Sequence, residues 1–204
     1  MPAKNLDLHG NTPDESPVAL LLIDVINDLE WEGGEQMLEQ ALPMAERIAA
    51  LARRARQAGI PVVYVNDNYG KWQSDFRQVV DHCLSDGVRG QPLAELLHTA
   101  EDDYFVLKPK HSGFYSTTLD TLLDYLGAKT LILTGIAANS CVLFTASDAF
   151  MRDFNLVVPP DCVASADAET NRNAVEQMRL VLHADTTAST ELDLEALKRE
   201  RAAA

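Results

Sequence analysis

Three side chains whose types could do chemistry together stand where apolar runs of the sequence end. Asp24 follows the unbroken run Val18 to Ile23, Lys108 follows Tyr104 to Leu107, and Cys141 closes the loop Gly135-Ile-Ala-Ala-Asn-Ser-Cys after the run Thr130 to Thr134. A thiol, a carboxylate and an ammonium group suffice for acyl transfer. The sulfur attacks a carbonyl carbon, the carboxylate takes the thiol proton and later returns it to a leaving amine, and the cation favours negative charge near sulfur. A cysteine opening a helix also feels the positive end of the macrodipole, which together with a nearby lysine predicts a thiolate. Closely spaced N–H groups in the loop before Cys141 could bind the oxyanion of a tetrahedral intermediate, a contribution of about 3–4 kcal/mol per donor in known cases. Each residue alone has a plainer reading. Cysteines are among the most often buried residues, aspartates commonly cap helices or loops, and lysines are mostly solvated. Spacing along the chain does not by itself bring the three together.

The elements that must position them follow from the apolar pattern. Val18 to Ile23 is apolar at every position, as expected of a parallel strand buried on both faces, and it leaves Asp24 at the carboxyl end. Helical patterning runs from Gly34 to Ala58, with Pro43 expected in the first turn of a second helix and Gly59 as the stop. Ile60 to Val65 reads as the next strand, and Asn66 to Asp75 as a long loop. Phe76 to Thr99 is less legible. Tyr104 to Leu107 is a short strand, and Pro109 cannot continue a central ladder. A helix over Ser116 to Leu126 closes at Gly127, the strand Thr130 to Thr134 follows, and Cys141 is expected to begin the helix that runs to about Asp153. Leu156 to Val158, Ala168 to His183 and Asp185 to Thr187 read as strand, helix and edge strand. Repeated βα units imply a mainly parallel sheet with helices on both faces and a ligand site beyond the carboxyl ends of the strands.

Composition narrows the function classes. At 204 residues, with 47% hydrophobic and 24% charged residues, the chain fits one α/β domain with a sizeable core. A formal net charge of -14 repels phosphate backbones and anionic lipid surfaces, so neither nucleic acid nor a membrane is an expected partner. Cys83, Cys141 and Cys162 include no C-x-x-C pair, which argues against disulfides and structural zinc and for a reducing, cytoplasmic setting. The polar N-terminus and the lack of a long apolar stretch agree. His82, His98 and His111 have no histidine or cysteine partner at i, i+3 or i, i+4, so each is read as a surface or loop residue; no metal and no cofactor is expected.

The segment Lys108 to Phe114, KPKHSGF, resembles the K-x-x-x-S-A-F signature of isochorismatase-like cysteine hydrolases, with Gly113 in place of Ala. Ser116-Thr-Thr-Leu119 is similar to their T-x-L, and Leu133 to Ala149 resembles their nucleophile block, with its G-x-x-x-x-x-C spacing and A-x-D-A helix. LLLID at 20–24 and VVPPDCVAS at 157–165 are similar to further blocks, so the resemblance spans residues 18 to 190. It implies a Rossmann-like three-layer α/β/α sandwich around a six-stranded, mainly parallel sheet. On it, residues 1–17 are an N-terminal extension, 18–190 the hydrolase domain and 191–204 a C-terminal helix or tail. It also implies an Asp24-Lys108-Cys141 triad, a cis peptide between Ile136 and Ala137, and an oxyanion hole from the N–H groups of Ala137 and Cys141. Ile26 and Leu29 depart from the family's usual Gln and Phe, changes that could reshape the pocket. Asn66-Asp67-Asn68 stands where nicotinamidases carry an Asp-x-His metal motif, which disfavours a zinc-dependent nicotinamidase. True isochorismatases lack the nucleophilic cysteine, so Cys141 argues against vinyl-ether hydrolysis.

The expected activity is hydrolysis of an amide or carbamoyl bond of a small molecule through a thioester. The alternatives are a non-catalytic binding module and a peroxide sensor, the latter needing Cys83 or Cys162 to resolve an oxidised Cys141. Trp31, Asn68, Trp72, Phe114 and Tyr115 fall in or beside loops expected to rim the strand ends. By the same resemblance the protein is expected to be a homo-oligomer, a dimer or a tetramer.

Overall fold

A computed structural model describes residues 15–70 and 75–202. Strand β1 (Val18–Ile23) pairs in parallel with β2 (Val62–Asp67) on one side and β4 (Thr130–Ile136) on the other. Beyond them lie β3 (Tyr104–Lys108) and β5 (Asn155–Val157), giving the order β3-β2-β1-β4-β5, while β6 (Val163–Ala164) pairs with the end of β4. Every pairing is parallel, so the six-stranded sheet is more regular than the mainly parallel one expected. Asp185 makes only an isolated bridge to Val157, so the possible last strand does not form.

The apolar run of β1 is buried at all six positions because both faces are covered. Val18, Leu20 and Leu22 belong to a core shared with α1 (Gly34–Gln57), α2 (Phe76–Ser85) and α3 (Gln91–Leu96). Ala19, Leu21 and Ile23 belong to a second core with α4 (Leu119–Leu126), α5 (Leu143–Phe150) and α6 (Ala168–Val181). The result is a three-layer α/β/α sandwich. Leu194 of α7 (Leu194–Ala202) joins the first core. Among the described residues no helix is long and apolar enough to cross a membrane.

Two local expectations are corrected. Pro43 lies inside one continuous helix, α1, and does not start a second. It is exposed, while Met37, Ala41, Met44, Ala45, Ile48, Leu51, Ala52 and Ala55 form one buried stripe across it. Packing of that stripe outweighs the ~3 kcal/mol that an interior proline costs. Helix α4 begins at Leu119 and not at Ser116, because Ser116 has φ 53° and the Thr117 hydroxyl oxygen accepts the Leu119 N–H at 3.1 Å.

Sheet order reverses between β1 and β4, so the crossovers leave in opposite directions and a crevice opens beyond their carboxyl ends.

Candidate active site

Asp24 is the first residue past β1 and adopts φ 52°, a left-handed turn off the strand. Its N–H donates to Val65 O at 3.0 Å, and its Oδ1 accepts the Asp67 N–H at 2.7 Å, so the carboxylate is clamped onto the end of β2. Lys108 ends β3 and is fully buried. Its Nζ reaches across β2 to Asp24 Oδ2 at 2.8 Å, donates to Lys110 O at 3.2 Å and lies 3.4 Å from Cys141 Sγ. The structure thus brings Asp24, Lys108 and Cys141 into mutual contact at the switch point of the sheet.

Cys141 arrives there through an unusual segment. A Cβ on Gly135, φ 112°, would sit 2.0 Å from Ile23 O, so only glycine lets β4 end this close to β1. The Ile136–Ala137 peptide that follows is cis, and Ala138–Val142 forms a π-helical turn that leads into α5. Cys141 therefore lies within this turn and not at the start of a regular helix. Buried Thr145 ties the turn to the segment after Lys108: its hydroxyl donates to Cys141 O at 2.7 Å and accepts the Gly113 N–H at 3.0 Å. Ser112 Oγ donates to Asp148, joining the same two stretches a second time. Space explains Gly113, since a Cβ there would lie 2.8 Å from Val65 Cγ1 and 3.1 Å from Leu119 Cδ2.

The electrostatics correct the thiolate expectation. Burial, then the Asp24 charge, push the Cys141 thiol up to about 12, and Lys108 offsets only part of this. The side chain therefore rests as a thiol, hydrogen-bonded to Asp24. Burial also lifts Asp24 above the ordinary carboxylate range, against the opposing pull of Lys108 and of hydrogen bonds from Cys141 and the Asp67 N–H. For Lys108 burial acts downward, but its neighbours, Asp24 first through its charge and its hydrogen bond, outweigh it and the ammonium is held protonated. Asp24 and Lys108 are in contact at 2.8 Å, with a neutral thiol beside them. Susceptibility to peroxide follows thiolate character, which this thiol lacks. Cys83 and Cys162 belong to the core on one face of the sheet, whereas Cys141 packs against the core on the other, so neither is placed to resolve it.

A cavity of about 490 Å³ opens onto Asp24 and Cys141. Ile136, Ala137 and Ser140 line it beside them, and Asn27, Trp31, Met37, Asp67, Tyr69 and His111 complete it. Of the expected rim residues, Trp31 lines this cavity. Asn68 is buried next to it, its Oδ1 accepting the Gly70 N–H at 2.9 Å. Phe114 is in the second core, under Arg152 at 4.8 Å and beside Phe154 at 6.0 Å, and does not line the cavity. Tyr115 is exposed and does not line it either, and Trp72 lies outside the described residues. Ile26 and Leu29 are fully buried in the first core, so neither departure faces the pocket.

Sequence reasoning missed Asp67, Tyr69 and His111. Asp67 and Tyr69 follow from β2 ending two residues later than its apolar run, beside Asp24. His111 Nδ1 is 3.7 Å from Cys141 Sγ and its ring lies 5.5 Å from that of exposed Phe144, tilted by 37°. Its position two residues after Pro109 carries no periodic signal. Among the described residues no group of three His, Cys, Asp or Glu side chains is arranged to hold a metal ion. Asn66, where the motif has its first carboxylate, donates through its amide to Ile26 O.

Residues 18–191 match the isochorismatase domain family. The isochorismatase family protein YaaI of Bacillus subtilis (strain 168) is 40% identical over 174 residues, 85% of this chain and 95% of that protein. Ureidoacrylate amidohydrolase RutB of Methylorubrum extorquens (strain ATCC 14718) is 29% identical over 181 residues, 75% of this chain and 72% of that enzyme. Among solved structures, N-carbamoylsarcosine amidase from Thermoplasma acidophilum superposes with a TM-score of 0.67 at 29% identity, covering 86% of this chain and 98% of that one.

Proposed function

The chain belongs to the isochorismatase family, and from that premise we propose that it hydrolyses a carbon–nitrogen bond of a small amide or carbamoyl compound with Cys141 as nucleophile. The observation that carries this reading is the contact of buried Lys108 with both Asp24 and Cys141, which line a cavity at the sheet's switch point. Similarity to two amidohydrolases, RutB and N-carbamoylsarcosine amidase, supports the bond type.

In the proposed reaction Asp24 takes the thiol proton as Cys141 Sγ bonds to the substrate carbonyl carbon. Proton transfer and attack must be concerted or nearly so, because the free thiolate is disfavoured at this site. Lys108, 3.4 Å from Sγ, stabilises negative charge on sulfur and favours the ionised form of Asp24, whose basicity is raised by its burial. The carbonyl oxygen becomes an oxyanion, for which the N–H groups of Ala137 and Cys141 are the donors. Protonated Asp24 then gives its proton to the leaving nitrogen, the C–N bond breaks, and ammonia or an amine departs from a thioester. Water, deprotonated by Asp24, attacks the thioester; the acid leaves and the Cys141 thiol is restored.

The test is ammonia release from a panel of small primary amides and carbamoyl compounds, with wild type, Cys141→Ala and added chelator. Release that persists in chelator and falls by about 10⁴-fold or more in folded Cys141→Ala is expected. Undiminished turnover in Cys141→Ala, or no turnover of any compound, would overturn the proposal.

A further inference from the structure

We propose that this pocket selects neutral or cationic amides over carboxylate-bearing ones, and that Asp67 sets the preference. The inference rests on the amidohydrolase reading of the same cavity.

The argument is one of charge placement. Lys108 lies beneath the cavity, fully buried, and its charge is matched by Asp24 at 2.8 Å. Among the described residues that line the cavity none is a lysine or arginine. Asp67 is then a carboxylate in excess of that matched pair. One of its oxygens, Oδ1, accepts the Tyr69 N–H at 2.6 Å and fixes the loop. The other, Oδ2, lies 3.8 Å from Lys108 Nζ, beyond hydrogen-bond reach, and the side chain is 41% exposed. A substrate carboxylate entering here would be desolvated beside Asp67 with, among the described lining residues, only the His111 imidazole and no lysine or arginine to pair it. An ammonium group, or the N–H groups of an uncharged amide, would instead meet a fixed acceptor. Trp31 and Tyr69 line the same cavity, and aromatic faces attract cations as well as apolar groups. Burial keeps the Tyr69 phenol neutral, so it adds no competing charge.

The experiment reads the field at Cys141 without requiring turnover. Cys141 is labelled with aminoethyl, methyl and sulfonatoethyl methanethiosulfonate, which are cationic, neutral and anionic, and each rate is divided by that for a free thiol. Cys141→Ala identifies the labelled residue, since Cys83 and Cys162 are fully buried. The expected order is cationic, then neutral, then anionic. Asp67→Asn, whose amide oxygen can still accept the Tyr69 N–H, should lower the cationic-to-anionic ratio about tenfold and move the neutral rate less than about twofold. Glu195→Gln, at an exposed position on α7, should leave the ratio unchanged and so separates a local field from the overall acidity. An anionic reagent as fast as the cationic one, or a ratio unmoved by Asp67→Asn, would overturn the inference. Absence of ammonia release from every amide would overturn the proposed function instead, because labelling does not depend on hydrolysis.

Discussion

Asp24 and Asp67 are the same residue type at the carboxyl ends of adjacent strands, joined by a hydrogen bond from the backbone of one to the side chain of the other. They have become different chemical groups. The Asp24 side chain is 7% exposed and 2.8 Å from Lys108, whereas that of Asp67 is 41% exposed and 3.8 Å from the same ammonium. Removed from water, Asp24 is held above the ordinary carboxylate range and shares its hydrogen bonds with a thiol and a lysine, which suits a proton carrier. Asp67 keeps water on one side and can act on a ligand only as a fixed charge. The contrast teaches that a carboxylate at a strand end is given its role by about one ångström of ion-pair distance and by which side of it is wet.

Replacing each carboxylate breaks the comparison where it matters most. Asp24→Asn should lower kcat/KM for an uncharged amide by about 10³-fold or more, the scale of losing a proton carrier and its part in the triad, while Asp67→Asn should cost less than about tenfold. Equal losses would mean that Asp67 belongs to the proton path. Lys108→Met removes the cation from both carboxylates, leaving Asp24 buried and uncompensated, so chemical denaturation should show a loss of about 3–5 kcal/mol. Removing the exposed partner by Asp67→Asn should change stability far less. Gly113→Ala tests the frame that both share: its methyl would press on Val65, whose carbonyl holds the Asp24 N–H, and a loss of about 1–3 kcal/mol is expected by the same measurement. The subtlest effect is on pH. Catalysis needs ionised Asp24, so kcat/KM should rise with pH along a limb above the ordinary carboxylate range and be lost as pH falls through it. A limb at the ordinary carboxylate value would mean that Asp24 is better solvated than its burial indicates.

Legibility in the sequence tracked locality. The strand ends at Asp24 and Lys108 could be read because an apolar run stops at each, and the sheet's parallel character because runs buried on both faces lack alternation. The helix breaks were less secure: Pro43 carries a local stop signal that the buried stripe of α1 overrides, and only the packed helix shows the balance. Phe114 illustrates the opposite error, an aromatic in a loop that serves the core and not the pocket.

By itself the sequence determined which residues end the strands and the repetition of βα units that makes a parallel sheet with a site beyond the strands' carboxyl ends. The tertiary structure alone decided that Cys141 rests as a thiol, that Asp67, Tyr69 and His111 share its cavity, and that Asp24 and Asp67 differ. The reason is physical. Hydrophobic periodicity is written in neighbouring residues, whereas dielectric and ion-pair distance depend on atoms brought together from three strands and a loop far apart in the chain.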